Sequence, residues 1–302
     1  MKPGFREMLA LRQIEIDSLV CVGLDILPDK LPLHLSEVAG GIDAETYVNW
    51  FTDMVDATAE FASMFKPQSA HYEAMEEGRW ILWQIINYIR RNYPDIPIVL
   101  DCKRGDIGRT QARYRIAHLL LDAVHGMNFS PYMGKTCMQA LVDPTTAGKA
   151  IVGLCYTSNP DAREVQDVKL ADGRCYWEFI AERTLSWASE FGVTGDAGLV
   201  MAAAYKPDKA KDEIFSAHLK KCREIVGSDL WFLIPGIGTQ GGEVKETVEA
   251  AFSVSGQAKA GQIAINSSSG ITFASNGEDF AEAAAAAAET LRDQIREAGG
   301  SV

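Results

Sequence analysis

The amino-acid sequence predicts an α/β protein that folds as a single-domain (β/α)8 (TIM) barrel with parallel strands. Eight short apolar or β-branched segments alternate with longer amphipathic segments along the 302 residues. Each candidate strand is nearly all apolar, which indicates burial on both faces, as in parallel sheets covered by helices. Hydrophobic residues make up 47% of the chain and charged residues 23%, a balance that predicts a sizeable core and excludes disorder as the main description.

The strands are placed by composition and the helices by periodicity. The eight candidate strands are 19–25, 62–67, 97–103, 126–131, 149–158, 197–203, 230–238 and 260–268. Helical patterns separate them at 44–60, 79–93, 110–124, 177–191, 208–226 and 243–252. An N-terminal helix is expected within 1–18. A closing helix is expected at 278–297, where an alanine tract, the best helix former, has charged ends.

A doubly wound open sheet is the alternative architecture. The barrel is favoured because the eighth strand is followed by one helix, after which the sequence stops. No Pro/Gly-rich linker and no block of like charge divides the chain, so one domain over 1–302 is expected.

Charge and hydropathy narrow the class of function. With 29 basic and 41 acidic residues, the net charge of -12 repels a phosphate backbone, so a nucleic-acid partner is not expected. No apolar stretch approaches the ~20 residues that a membrane helix needs, and the first residues lack a signal-peptide pattern. We therefore expect a cytoplasmic protein with no membrane partner. An anionic substrate would need a local cluster of donors.

Several chemistries are not indicated. The six cysteines are scattered and the five histidines have no ligand spacing, so no metal site is expected. The sequence also lacks a GxSxG elbow, a GxxxxGK[ST] loop and a strand-linked GxGxxG motif. A covalent serine mechanism and a dinucleotide cofactor are therefore not supported.

Polar residues end several candidate strands, where the functional residues of a barrel gather. Strand one ends in Asp25, strand two in Lys66, and strand five in the segment 157–159 that contains Ser158. Strand three ends in Asp101-Cys102-Lys103, and side chains two apart in a strand share a face. We therefore expect Asp101 and Lys103 to point the same way.

Asp106 follows this strand within one tight turn, which would place two carboxylates around the ammonium of Lys103. A structural ion pair is the alternative, but buried charge is costly even when it is paired. With Lys66 added, the alternating charges favour catalysis, because carboxylates can fix an ammonium for proton delivery and destabilise a substrate anion.

Segments that contain glycine lie at the ends of the last two strands. These are PGIGTQGGE at 235–243 and INSSSGI at 265–271. Their backbone N–H groups could approach a phosphate, and barrels often hold phosphate after strands seven and eight. Turns also demand glycine, but the position after strand seven strengthens the phosphate hypothesis.

Taken together, six motifs resemble the orotidine 5′-phosphate decarboxylase family, and within it the longer bacterial subgroup. They occur in the family's order from near residue 20 to near residue 275. The motifs are VGLD (22–25), FKPQSAHYE (65–73), LDCKRGDIGRT (100–110), YTSNP (156–160), PGIGTQGG (235–242) and INSSSG (265–270).

The resemblance implies a conversion of orotidine 5′-monophosphate to uridine 5′-monophosphate and CO2, without metal or cofactor, by a homodimer with shared active sites. The implied catalytic network is Lys66, Asp101, Lys103 and Asp106. Asp106, Ile107 and Thr110 would reach into the partner subunit's site. The other implied substrate-binding residues are Asp25 (ribose, with Lys66), Ser158 (pyrimidine), Gln240 (phosphate), and Ser268 and Ser269 of the strand-eight motif.

One position departs from the subgroup's pattern. The subgroup's strand-eight motif reads INSSRG, and its arginine binds the phosphate, whereas this chain has Ser269. A guanidinium gives two charge-assisted hydrogen bonds and a hydroxyl gives one weaker bond. The segment at the end of strand six also departs from the usual pattern. Its Lys206 is either a solvated loop lysine or a partial replacement for the missing arginine charge.

Two other hypotheses remain open from the sequence. One is a related sugar-phosphate decarboxylase or aldolase that uses Mg²⁺, against which the KPQ, TSNP and QGG pieces count. The other is a weakened ligand-binding homologue that has lost phosphate affinity at Ser269.

Overall fold

The computed structural model describes residues 3–36, 43–207, 213–237, 242–253 and 259–302. Gln240, part of the loop 235–243 and the beginning of the predicted helix 208–226 lie outside these residues.

Eight parallel strands form one sheet in the order β2-β1-β8-β7-β6-β5-β4-β3. The strands are β1 Val20–Leu24, β2 Met64–Pro67, β3 Val99–Arg104, β4 Gly126–Phe129, β5 Ala150–Tyr156, β6 Ala197–Met201, β7 Trp231–Pro235 and β8 Ile263–Ser267. Parallel bridges from Phe65 to Ile98 and from Gln68 to Asp101 connect the two ends of the sheet. The predicted barrel is confirmed, and the open-sheet alternative is wrong.

One helix precedes β1, and the others follow strands around the outside of the barrel. The longer ones are α1 Phe5–Ile16, α2 Ala44–Thr58, α3 Gly78–Asn92, α4 Gly108–Arg115, α5 Tyr176–Glu190, α6 Ala217–Val226, α7 Val244–Ala251 and α8 Phe280–Ile295. The predicted helix 110–124 corresponds to α4 and a π-helical segment, Ile116–Leu121, that continues it. Short helices lie at Leu33–Ser36, Ser69–Glu73, Lys135–Gln139, Ala162–Gln166 and Ser269–Thr272. None of the helices in these described ranges has both the length and the hydrophobicity to cross a bilayer.

The core has two layers, as the all-apolar strands require. The larger cluster lies between the strands and the surrounding helices, and the smaller one fills the barrel with side chains from alternate strand positions. Phe5 of α1 belongs to the smaller cluster and packs on Trp231, the first residue of β7, with ring centroids 4.9 Å apart. Helix α1 therefore covers the amino ends of the strands, and the carboxyl ends face the other way.

Gly23 in β1 explains why the VGLD segment contains a glycine. A Cβ atom at this position would lie 1.9 Å from the Ser268 hydroxyl oxygen and 2.8 Å from its Cα. Only a residue without a side chain lets the segment after β8 approach β1 so closely. The close approach brings Ser268 to the carboxyl end of β1.

Candidate active site

A cavity of about 220 Å³ opens at the carboxyl ends of the strands, the end opposite α1. Most strands of the barrel contribute to its wall. The described lining residues are Asp25, Lys66, Gln68, Asp101, Lys103, Thr157, Ser158, Val200, Leu233, Pro235, Gly236, Ile237, Asn266, Ser268 and Ser269.

Three charged side chains from two neighbouring strands form a row in the cavity wall. Asp101 lies between two ammonium groups, with its Oδ2 atom 3.3 Å from Lys66 Nζ and its Oδ1 atom 2.6 Å from Lys103 Nζ. Lys66 is 3% exposed and Asp101 9%, whereas nearly half of the Lys103 side chain is exposed. The row therefore leads from the barrel interior to the open cavity, and its outermost group is a lysine.

Electrostatics keep the buried pair ionised. Burial by itself would raise the pKa of Asp101, but the charges of Lys66 and Lys103, with hydrogen bonds from Lys103 and Asn128, hold that pKa well below its usual value. Burial would likewise lower the pKa of Lys66, yet the charges of Asp101 and Asp25 raise it above its usual value. Asp101 is therefore a carboxylate and Lys66 an ammonium across the physiological pH range.

Asn128 of β4 is a site residue that the sequence analysis missed. Its Nδ2 donates to Asp101 Oδ1 at 2.6 Å, and its Oδ1 accepts hydrogen bonds from the backbone N–H groups of Cys102 and Lys103. Lys103 has a φ of +46°, which is uncommon for a residue with a Cβ atom. The signal in the sequence was one polar residue within the otherwise apolar segment GMNF.

Other polar groups at the cavity either have no hydrogen-bond partner among the described residues or are hydrogen-bonded to a neighbouring side chain. Asp25 Oδ1 is buried and has no hydrogen-bond partner among the described residues. Thr157, next to Ser158, is held by Gln166, which accepts from its backbone N–H at 2.9 Å and donates to its hydroxyl at 2.7 Å. Asn266 Nδ2 donates to the Ser268 hydroxyl at 3.3 Å. Neither Gln166 nor Asn266 was singled out from the sequence.

Asp106, Ile107 and Thr110 lie outside this cavity wall. Ile107 is 55% exposed and Thr110 is also exposed. Asp106 accepts a hydrogen bond from the backbone of Ile107. The sequence predicted two carboxylates around the ammonium of Lys103, whereas within this chain two ammonium groups flank the carboxylate of Asp101. The turn after β3 directs Asp106 away from the row.

The cations available to a phosphate are few. Among the described residues that line the cavity, Lys66 and Lys103 are the only cations, and both pair with Asp101. Lys206 is outside the wall, 3.8 Å from a Glu243 carboxylate oxygen. Ser269 lines the cavity at the start of a short helix. In the described ranges, no three or more His, Cys, Asp or Glu side chains are grouped to hold a metal ion.

The fold and the site define a class of protein: a (β/α)8-barrel enzyme with a Lys–Asp–Lys row at the carboxyl ends of β2 and β3. A sequence model of the "Orotidine 5'-phosphate decarboxylase / HUMPS family" matches residues 18–284. The chain therefore belongs to this family.

Curated relatives support the same assignment. "Orotidine 5'-phosphate decarboxylase" of Ralstonia pickettii is 38% identical over 293 residues, covering 97% of this chain and 98% of the relative. The protein of the same name from Bordetella avium is 39% identical over 281 residues, covering 92% of this chain and 93% of the relative. Both carry the decarboxylase name, so the sugar-phosphate and aldolase alternative is not favoured.

Solved structures agree with the fold. The Leishmania donovani OMP decarboxylase superposes with a TM-score of 0.74 at 28% identity, covering 98% of each chain. A putative orotidine-monophosphate-decarboxylase from Toxoplasma gondii gives a TM-score of 0.79 at 26% identity, covering 98% of this chain and 97% of that one.

Proposed function

We propose that this protein is a carboxy-lyase that converts orotidine 5′-monophosphate to uridine 5′-monophosphate and CO2 in pyrimidine biosynthesis, without metal or organic cofactor. The observation that carries the proposal is the row Lys66–Asp101–Lys103 at the cavity, in a chain whose curated relatives bear the decarboxylase name. Folding alone does not require such a row, because an apolar replacement often matches a buried ion pair in stability.

In the proposed mechanism, Asp101 and Lys103 act on the two ends of the bond that breaks. The substrate's carboxylate lies beside Asp101, whose negative charge is fixed because its pKa is low. Repulsion between the two anions raises the energy of the bound substrate, and loss of CO2 removes that repulsion. The electron pair of the broken C–C bond stays on the ring carbon, where the ammonium of Lys103 stabilises it and then donates the proton.

The remaining cavity residues bind the rest of the nucleotide. Asp25 Oδ1, which has no partner among the described residues, accepts a hydrogen bond from a ribose hydroxyl. Lys66 also contacts the ribose hydroxyls. Ser158 meets the pyrimidine ring, and Ser268 and Ser269 contact the phosphate. Gln240 is assigned to the phosphate from its motif alone.

We also propose a homodimer whose two active sites are shared. Large apolar side chains are exposed on the segments that follow β3 and β4: Ile107 is 55% exposed, Tyr132 79% and Met133 50%. Exposed apolar groups on one face indicate an interface, and a two-fold axis would bring the same face of both subunits together. Asp106 and Thr110 would then reach the partner's cavity.

A cytoplasmic location is part of the proposal. Its support is that all six cysteines are free thiols, which is the usual state in a reducing compartment.

The test is a turnover assay on metal-depleted protein. Purified protein treated with a chelator is incubated with orotidine 5′-monophosphate, and product formation is followed by chromatography. We expect uridine 5′-monophosphate to form at an undiminished rate, and Lys103→Ala to abolish it. Lys221→Ala, which removes an exposed lysine of α6 paired with Glu224, is the matched control and should keep parental activity. A folded dimer that forms no product, or that needs added Mg²⁺, would contradict the proposal.

A further inference from the structure

Asn128 occupies an unusual place for an amide. It lies within β4, in the wall of the barrel, and is 1% exposed. Its three polar contacts all go to β3: Oδ1 accepts from the N–H groups of Cys102 at 2.8 Å and Lys103 at 2.6 Å, and Nδ2 donates to Asp101 Oδ1 at 2.6 Å. One side chain therefore contacts three consecutive residues of the site-bearing strand.

The segment of β3 that Asn128 contacts is irregular. The register between β3 and β4 shifts between Leu100 and Arg104, and Lys103 has a φ of +46°. A left-handed conformation is disfavoured for a residue with a Cβ atom, and it persists only where surrounding contacts hold it. The Oδ1 atom of Asn128 makes two of those contacts, because it binds the N–H groups of Cys102 and Lys103 and so fixes the peptide plane that leads into Lys103.

We propose that Asn128 is a positioning residue for decarboxylation. Its amide holds the Lys103 backbone in the left-handed conformation and, at the same time, fixes the Asp101 carboxylate that receives the Lys103 ammonium. The inference rests on the proposed function, because Lys103 and Asp101 have a catalytic task only if the site decarboxylates.

The chemistry of the contacts explains why an amide stands here. The two backbone N–H groups require an acceptor, and the Asp101 carboxylate requires a donor. An ionised aspartate at position 128 would satisfy the first requirement and repel Asp101. A protonated aspartate has nearly the shape of asparagine and satisfies both requirements. Asn128→Asp is therefore a variant that protonation can rescue.

The titratable groups around position 128 are few. Asp101 touches the amide directly, and Lys66 and Lys103 touch Asp101 from β2 and β3. The Cys102 thiol lies 3.4 Å from the backbone carbonyl of residue 128. On the other side β5 places Val152 opposite this position, so it supplies no charge there. Burial and the charge of Asp101 raise the pKa of an introduced carboxyl, whereas the two backbone N–H groups and the nearby ammonium groups lower it.

The experiment measures kcat and KM for orotidine 5′-monophosphate from pH 5 to pH 9 in the parent, Asn128→Ala and Asn128→Asp. We expect Asn128→Ala to lower kcat by about tenfold or more, the effect of losing one charge-assisted hydrogen bond in the transition state, with a smaller change in KM. We expect the ratio of parental kcat to that of Asn128→Asp to be large at pH 9 and to narrow as the pH falls.

Gln13→Glu is the matched control for a merely structural effect. Gln13 is a fully buried amide of α1 that binds Gly261 and Ile263 at the opposite end of the barrel. Its carboxyl substitute should lower the melting temperature, but the ratio of its kcat to the parental kcat should not vary with pH. A parental kcat in Asn128→Ala, or a pH-independent ratio for Asn128→Asp, would overturn the inference.

A crystal structure of Asn128→Ala separates failure of this inference from failure of the proposed function. We expect Lys103 to leave the positive-φ region and its contact with Asp101 to lengthen. If Lys103 keeps both, the inference is wrong even when the parent is an active decarboxylase. The parent could also produce no uridine 5′-monophosphate while the backbone of Lys103 moves in Asn128→Ala. In that case Asn128 does position the strand, and the proposed reaction is wrong. Should Asn128→Ala not fold, the near-isosteric Asn128→Asp supports the same comparison at high pH.

Discussion

Replacing Ser269 by arginine should improve catalysis. The substrate carries a phosphate dianion, and the described cavity wall offers two cations, Lys66 and Lys103, both already engaged by Asp101. Lys206 has a Glu243 carboxylate 3.8 Å away. Ser269 lies in the cavity wall, so a longer cationic side chain at this position would extend from the wall into the cavity.

The size of the effect follows from the two hydrogen bonds that a guanidinium can make to one phosphate. Each charge-assisted bond contributes about 1.5–3 kcal/mol, and ordering the arginine side chain costs up to ~2 kcal/mol. With partial additivity, the net gain is about 2–4 kcal/mol, or a factor of ~30–1000 at 1.4 kcal/mol per tenfold. Binding energy from the remote phosphate can also stabilise the transition state at the ring. We therefore expect Ser269→Arg to raise kcat/KM by at least about tenfold.

The assay compares kcat/KM for orotidine 5′-monophosphate and for the phosphate-free nucleoside orotidine. The gain should be confined to the monophosphate, because only that substrate offers the dianion. Ser269→Met, which adds length without charge, is the control and should give no gain. An unchanged value for the monophosphate would mean that another group already supplies the charge. An equal gain for the nucleoside would refute the phosphate argument itself.

Three further outcomes are expected. Lys103→Ala should abolish turnover while gel filtration and circular dichroism remain parental; activity within tenfold of the parent would remove Lys103 as proton donor. Mixed samples of inactive Asp106→Ala and inactive Lys103→Ala should regain up to one working site per heterodimer, and lasting inactivity after verified subunit exchange would refute shared sites. Burial lowers the pKa of His218 from 6.5 to about 4 in the folded chain. Between these two pH values the unfolded chain binds a proton at this histidine and the folded chain does not. The free energy of unfolding should therefore fall by roughly 3 kcal/mol between pH 6.5 and pH 4. Urea unfolding should show this acid dependence flattened in His218→Phe, and an unaltered slope would contradict it.

Much of the barrel could be predicted from the pattern of apolar residues. Seven of the eight predicted strands contain an observed one, as 149–158 contains Ala150–Tyr156, and the predicted strand 97–103 ends one residue before β3 does, at Arg104. The agreement arises because strands buried on both faces are apolar at nearly every position. Strand ends were less accurate, since a polar residue after a strand can continue it or begin a loop. The region 110–124 illustrates another limit: its periodicity indicated one helix, and the chain forms α4 followed by a π-helical segment.

The sequence also indicated which residue types stand at the strand ends, but not how they meet. Asp101 and Lys103 were expected to share a face of a regular strand, yet they meet through a register shift and a left-handed residue held by Asn128. That amide comes from a different strand, so no spacing within the DCKRGD segment contained it. Asp106 was expected beside Lys103, and the turn after β3 places it outside the cavity wall.

By itself, then, the sequence determined the alternation of strands and helices, the membership of the family and the presence of charge at the ends of β2 and β3. These properties are local, because they depend on residue type and on spacing along the chain. Tertiary structure alone decided that Lys66 and Lys103 both contact Asp101, and that Asn128 supports the pair. Closing the barrel brings the ends of β2, β3 and β4 side by side, and contacts between residues distant in sequence are set by that closure.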